Sequence, residues 1–156
     1  MATFPSMEWL NELDVKLNSD ERYAEIAKKW EGDIVIEIEP EGNLKERMVF
    51  YLDLWHGKCR GVAQLGDLSE KKATFVLKAS YENIKRILLG KLDPMQAMLT
   101  RKLAVQGNMA VMMRSVPTVL DFVRCAITIE QGLGLFVLGV IENVIGFALF
   151  NQLAFV

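Results

Sequence analysis

Cysteine and histidine are scarce in this chain, which has 156 residues but only two cysteines and one histidine. Cys59 and Cys125 lie far apart and form no C-x-x-C pair, so the pattern indicates neither a disulfide scaffold nor a thiolate metal site. A zinc site needs three or four ligands, and the single His56 argues against one built on histidines. We therefore expect reduced cysteines, no metal site and no bound cofactor.

The net charge is only -2, but the two signs are unevenly distributed along the chain, with few basic residues in the first part and few acidic residues in the second. Acidic residues outnumber basic residues in 1–70, and basic residues outnumber acidic residues in 71–126. The basic half could meet phosphates, anionic ligands or a membrane surface, or it could pair with the acidic half. Nucleic acid is not an expected partner, because the basic residues are scattered and lack interleaved aromatic residues.

A core is nevertheless well supplied, since 51% of the residues are hydrophobic and 24% are charged. This mixture is typical of one globular domain with a sizeable core. The first residues, MATFPSMEWL, lack the pattern of a cleavable signal peptide. Together with the reduced cysteines, this predicts a cytoplasmic protein, with membrane association as an alternative raised by the apolar end of the chain.

The periodicity of the apolar residues predicts the element order ααββββααβα. Two helices are expected in SMEWLNELDVKL and SDERYAEIAKKW, followed by four strands in DIVIEIEP, ERMVFYLDLWHG, KCRGVAQLGD and ATFVLKAS. Helices in YENIKRILLG and DPMQAMLT, a strand in KLAVQGN and a long helix around Pro117, which should kink or split it, complete the order. The fold class is α/β (α+β), with an antiparallel sheet whose apolar face is covered by helices.

Short polar residues mark where these helices should begin. Ser19, Ser80, Asp93 and Asn108 are the expected N-caps, because their side chains can accept from free backbone N–H groups. Gly90 is the expected C-cap of the helix that follows Ser80.

Methionine is concentrated in one part of the chain, with five of the eight methionines between Met95 and Met113. Methionine is flexible and polarizable, so it fills irregular gaps in closed cores and also lines surfaces that accept ligands of varied shape. The composition favours a core and an adaptable lipid cavity about equally.

The block LLGKLDPMQAMLTRKLAVQGNMAVMMRSVPTVLDF resembles the signature region of the sterol carrier protein type 2 (SCP2) family. The resemblance covers about residues 20–125. It implies a five-stranded, mostly antiparallel sheet with helices on one face, enclosing a hydrophobic tunnel. It further implies non-enzymatic binding of a fatty acid, acyl-CoA, sterol or phospholipid and its transfer between membranes.

By position, the resemblance assigns ligand contacts to strand and helix residues that could equally form closed core. They are Phe75, Leu77, Leu88, Met95, Met98, Leu99, Met109, Met112 and Met113. Gly90 and Gly107 take structural roles. Arg101 departs from the glycine that many relatives have before KL, and we expect Arg101 and Lys102 to favour carboxylate or phosphate headgroups.

An enzyme must be weighed as well, because Asp53, His56 and Cys59 are the parts of a nucleophilic triad. Side chains alternate along a strand, so Asp53 and Cys59 should lie on one face and His56 on the other. We therefore expect no catalytic residues.

The end of the chain forms a separate segment, so we divide the sequence into an SCP2-like domain, 1–126, and an apolar tail, 127–156. Gln131–Phe150 is about long enough to span a bilayer, although Glu142 and Asn143 would lie near its middle. Alternatively the tail covers or fills the tunnel, pairs two subunits into a homodimer, or is not native sequence. These interpretations keep open a second function, an interaction or membrane-anchoring module.

Overall fold

The computed structural model describes residues 2–130 of the chain. In chain order its elements are α1 (Met7–Ser19), α2 (Glu21–Ile26), β1 (Ile34–Glu39), β2 (Met48–Trp55), β3 (Lys58–Leu65), β4 (Phe75–Ser80), α3 (Tyr81–Leu88), α4 (Pro94–Leu99), β5 (Ala104–Gln106), α5 (Met109–Arg114) and α6 (Val116–Glu130). The predicted order is confirmed, and the long helix is split in front of Pro117. A short 3-10 turn, Leu68–Glu70, lies in the link between β3 and β4.

The five strands form one mixed sheet in the order β3-β2-β1-β4-β5. β1 and β4 are parallel, with Ile36 opposite Leu77, and the other neighbouring strands are antiparallel. The sheet is thus mostly antiparallel, as predicted, but β4 does not continue the row from β3. The link after β3 carries the chain back across the sheet, so that β4 pairs with β1 on its far side.

The central strand β1 shows the alternation expected of a strand with one face against a core. Ile34 and Ile38 are buried beneath the helices, with Ile36 between them on the same face. On the opposite face Glu37 is buried and its carboxylate accepts a hydrogen bond from Arg47 at 2.9 Å. The apolar face is therefore the one that the helices cover.

Three of the predicted N-caps are confirmed, and one is wrong. The side chains of Ser80, Asp93 and Asn108 accept from backbone N–H groups at the starts of α3, α4 and α5. Helix α2 is capped by Asp20, which accepts from the Tyr23 N–H at 2.8 Å, and not by Ser19. Ser19 is the last residue of α1, whereas Asp20 has the extended backbone that an N-cap requires.

Two glycines hold the backbone in conformations that other residues rarely adopt. The C-cap of α3 is Leu89 and not Gly90 as predicted, but Gly90 follows it with φ +74°, the left-handed conformation that ends many helices. Gly107 has φ +135°, and a Cβ there would lie only 2.5 Å from the Phe75 ring. Both positions are structural, as the sequence indicated.

Within residues 2–130, no helix is both long and apolar enough to cross a membrane. The span predicted at 131–150 and most of the tail 127–156 lie outside the described residues.

Candidate functional site: an apolar cavity

A cavity of about 120 Å³ lies between the sheet and the helices. Among the described residues, no charged side chain contributes to its wall. Helices α1, α3 and α6 supply one side, and the apolar face of the sheet supplies the other, with Ile34, Ile36, Ile38, Phe50, Leu52, Leu54 and Leu77. The wall can therefore accommodate apolar groups but offers nothing to neutralise a buried charge.

Four of the nine predicted ligand contacts line this cavity. Leu77 comes from β4, Leu88 from α3, Met98 from α4 and Met112 from α5. Met112 is only 3% exposed and is packed in the main hydrophobic cluster. The structure thus brings together one residue from each element that the resemblance singled out.

The other five predicted contacts are not part of the cavity wall. Phe75 is buried but does not itself line the cavity, and its ring packs on the wall residue Trp30 at 5.4 Å between centroids. Met95 is half-buried, and the remaining three are exposed to solvent: Leu99, Met109 and Met113. Neighbouring helical residues point about 100° apart, which separates Met113, 46% exposed, from the buried Met112.

Sequence reasoning missed the amino-terminal part of the wall. Phe4 and Trp9 both line the cavity, and their rings meet edge to face at 4.8 Å between centroids. Phe4 also stacks on Tyr81 at 6.1 Å, and Trp9 stacks on Phe50 at 6.5 Å. The signal that could have found Trp9 is its spacing, since it directly precedes Leu10 and lies four residues before Leu13 on a predicted helix.

The part of the wall contributed by α6 was also missed, because only the methionines of the preceding helix α5 had been assigned as ligand contacts. Val119, Phe122, Val123 and Ala126 face the cavity at helical spacing. Thr118 joins them, and its hydroxyl donates to the Ile26 carbonyl at 3.2 Å.

The predicted headgroup residues, Arg101 and Lys102, lie in the link between α4 and β5. Both are exposed, and they directly precede Leu103, whose side chain lines the cavity. The Lys102 carbonyl accepts from the Asn83 amide at 3.4 Å. Within residues 2–130, neither cation forms an ion pair. Arg101 has φ +63°, a left-handed conformation that glycine adopts without strain and other residues adopt rarely.

In the structure, Asp53 and His56 of the nucleophilic triad each have a different partner. The Asp53 carboxylate accepts two hydrogen bonds from Arg60, at 3.0 and 3.2 Å, while His56 Nε2 lies 2.6 Å from Glu31. Burial raises the pKa of the Cys59 thiol to about 12, so the thiol stays protonated. These residues do not form a catalytic unit.

A second cluster of titratable groups joins α2 to α6. Arg124 donates to Asp20 at 2.7 Å and to Asp121 at 2.8 Å, and Arg22 lies 3.2 Å from Asp121. The hydrogen bond from Arg124 holds the pKa of Asp20 well below its usual range, and burial raises the pKa of Cys125 to about 11. Although Asp20, Asp121 and Cys125 lie close enough to share an ion, arginines already neutralise the carboxylates. The cluster is an ion-pair network.

Comparisons with known proteins agree with this fold. The sequence profile of the SCP-2 sterol transfer family matches residues 10–119. The chain belongs to this family. The SCP-2 family binds lipids and is not an enzyme family. Its profile begins within α1, whereas the resemblance seen in the sequence begins after that helix.

Solved structures show the same fold. A crystal structure of sterol carrier protein 2 is 29% identical, with a TM-score of 0.69, over 76% of this chain and 93% of that one. A conserved hypothetical protein from Thermus thermophilus is 28% identical, with a TM-score of 0.71, over 80% of this chain and 87% of that one. Apo sterol carrier protein 2 from Yarrowia lipolytica shares the fold at 22% identity, with a TM-score of 0.55, over 81% of this chain and 94% of that one. No curated protein sequence matches the chain.

Proposed function

We propose that this member of the SCP-2 family binds one lipid molecule in the cavity and transfers it between membranes without changing it chemically. The candidate ligands are a fatty acid, an acyl-CoA, a sterol or a phospholipid. The observation that carries the proposal is the apolar cavity, whose wall is uncharged throughout the described part of the chain. Such a wall binds hydrocarbon through the hydrophobic effect and is unsuited to stabilising charge in a reaction.

The cavity must widen to hold a whole lipid. Its volume of about 120 Å³ is close to the ~150 Å³ of a cavity that takes benzene, while sites for drug-sized ligands measure roughly 300–1,000 Å³. Met98 and Met112 are flexible wall residues. They lie on the short helices α4 and α5, which flank the short strand β5. We expect these two helices to move outward on binding while the sheet keeps its shape.

Headgroup recognition is assigned to Arg101 and Lys102. They precede the wall residue Leu103 and have no ion-pair partner among residues 2–130, so a carboxylate or phosphate at the edge of the cavity can reach them. A lipid would then hold its hydrocarbon inside and its anionic group outside.

The direct test is mass spectrometry of an organic extract from the natively purified protein. We expect a lipid in about equimolar amount, and we expect the emptied protein to bind a fluorescent fatty acid and to accelerate its exchange between vesicles. Protein that contains no extractable lipid and binds no fluorescent fatty acid would disprove the proposal. Binding without faster exchange would restrict the role to storage or presentation.

The tail supports a second proposal, that it anchors the protein to a bilayer or pairs two copies. After Arg124 its only charged residues are Glu130 and Glu142, so it exposes much apolar surface unless something covers it. Truncation after Glu130 should shift the protein from the membrane fraction to the supernatant, or from dimer to monomer on gel filtration. An unchanged fraction and an unchanged oligomeric state would exclude both roles.

A further inference from the structure

One polar group of the wall residue Trp9 lacks the partner that its burial requires. Trp9 is 4% exposed, and its indole Nε1–H is the one buried side-chain donor or acceptor in residues 2–130 without a hydrogen bond. Buried indole N–H groups normally have an acceptor, because an unpaired one has lost its hydration and gained nothing in return. The unpaired donor therefore calls for an explanation.

A second tryptophan in the same wall shows the usual arrangement. Trp30 also lines the cavity, and its Nε1–H donates to the Gly32 carbonyl at 2.8 Å. The Trp9 ring is held between Phe4 and Phe50 and cannot easily turn towards a different acceptor. Water is a poor partner as well, since a buried water needs several polar neighbours and this wall is almost entirely apolar.

We infer that Trp9 is a specificity-determining residue, whose indole N–H binds an uncharged acceptor oxygen of the cavity ligand. The oxygen must be uncharged because no cation lines the wall in the described part of the chain to neutralise a carboxylate or phosphate. Ester, ketone and hydroxyl oxygens have the required chemistry. This inference rests on the proposed function, and it narrows the ligand to a lipid with a neutral oxygen on the part that enters the cavity.

The test compares methyl palmitate, which carries an ester, with hexadecane, which carries no oxygen. Both are added from cyclodextrin, and their affinities are measured by displacement of a fluorescent fatty acid. Trp9→Phe should weaken methyl palmitate about tenfold relative to its effect on hexadecane, because only the ester loses a hydrogen bond. Trp30→Phe is the matched control, since it removes an indole from the same wall whose N–H is already bonded, and it should alter both ligands by the same factor.

A second readout on the wild-type protein does not depend on the variants folding. In ¹H–¹⁵N spectra, methyl palmitate should move the indole proton of Trp9 to the frequency of a hydrogen-bonded group, while hexadecane should not. Equal weakening of both ligands by Trp9→Phe, or an indole signal that responds equally to both, would overturn the inference and leave the proposed function standing. Failure of both ligands and of the fluorescent fatty acid to bind the wild-type protein would overturn the proposed function itself.

Discussion

The two sides of α6 contact the rest of the molecule through opposite chemistries. On one side Val119, Phe122 and Ala126 border an open cavity, where contacts are apolar and have no fixed direction. On the other side Asp121 and Arg124 form hydrogen-bonded ion pairs with partners on α2 and at its N-cap. Apolar contacts tolerate small displacements, whereas charged hydrogen bonds require a particular geometry. We therefore expect α6 to stay in place while α4 and α5 adjust to a ligand.

The largest expected effect comes from Asp121→Ala, which breaks the ion pairs on the second side of α6, called the ionic side below. The Asp121 side chain is 2% exposed and binds Arg124 and Arg22, so its loss leaves Arg124 partly buried with Asp20 as its remaining carboxylate. We expect the free energy of unfolding, measured by urea titration, to fall by about 3 kcal/mol. The matched control is Asp53→Ala, which removes a partly exposed ion pair with Arg60 and should cost less than about 1 kcal/mol. Similar losses for the two variants would show that the ionic side does not hold α6.

The next largest effect comes from placing a charge on the cavity side with Met112→Glu. A carboxylate in the apolar wall has no partner, so the affinity for a fluorescent fatty acid should fall by about 100-fold. The control is Met113→Glu, on the neighbouring exposed residue of the same helix, which should bind as the wild type does. Unchanged affinity in Met112→Glu would remove Met112 from the binding site.

A smaller effect is expected from acid, which of the two sides of α6 acts only on the one with the ion pairs. The hydrogen bond from Arg124 keeps the pKa of Asp20 well below its unfolded value of 3.8. The stabilisation is therefore complete above that value and is lost as the pH falls below it towards the folded pKa. Melting temperatures measured between about pH 6 and about pH 2 should show the wild type losing its advantage over Asp20→Asn, which keeps an N-cap but does not titrate there. A constant difference between the two proteins would assign the stabilisation to something other than this carboxylate.

These two sides of α6 also differ in how far the sequence could reveal them. The order of the elements, and a sheet with one apolar face under the helices, follow from local periodicity and were predicted. The network was not predicted, because Asp20 and Arg124 are brought together only by the fold. The parallel pairing of β1 with β4 was missed for the same reason, since it depends on the path of the chain after β3.

The methionines of α5 show a limit of prediction from a sequence pattern. Helix α5 reads MAVMMR, which has no polar face to define its rotation, so Met109, Met112 and Met113 could not be ordered by exposure in advance. Only Met112 of these three reaches the cavity. The unpaired Trp9 donor was beyond prediction as well, because hydrogen-bond satisfaction depends on contacts between distant parts of the chain.

The smallest effect is expected next to the cavity, at Arg101. This residue adopts φ +63°, and the strain of that conformation costs a non-glycine residue about 1 kcal/mol. Glycine avoids the strain, but it loses more conformational entropy on folding, which costs a similar amount. Arg101→Gly should therefore change the free energy of unfolding by less than about 1 kcal/mol. Stability is then not a confounding factor when ligand binding is compared.

With stability nearly constant, Arg101→Gly isolates the charge at the edge of the cavity. We expect it to weaken acyl-CoA severalfold and to leave a neutral sterol unaffected, because the phosphates need a cation and the sterol does not. Lys102→Ala should have the same selective effect, and Arg101→Lys, which keeps the charge, should retain most of the acyl-CoA affinity. An equal loss of affinity for both ligands would show that these residues support the cavity wall and do not bind a headgroup. Unchanged affinity for both ligands would show that no residue of this link recognises the headgroup. Only a loss confined to acyl-CoA would show that an uncharged cavity and a charged rim recognise different parts of one lipid.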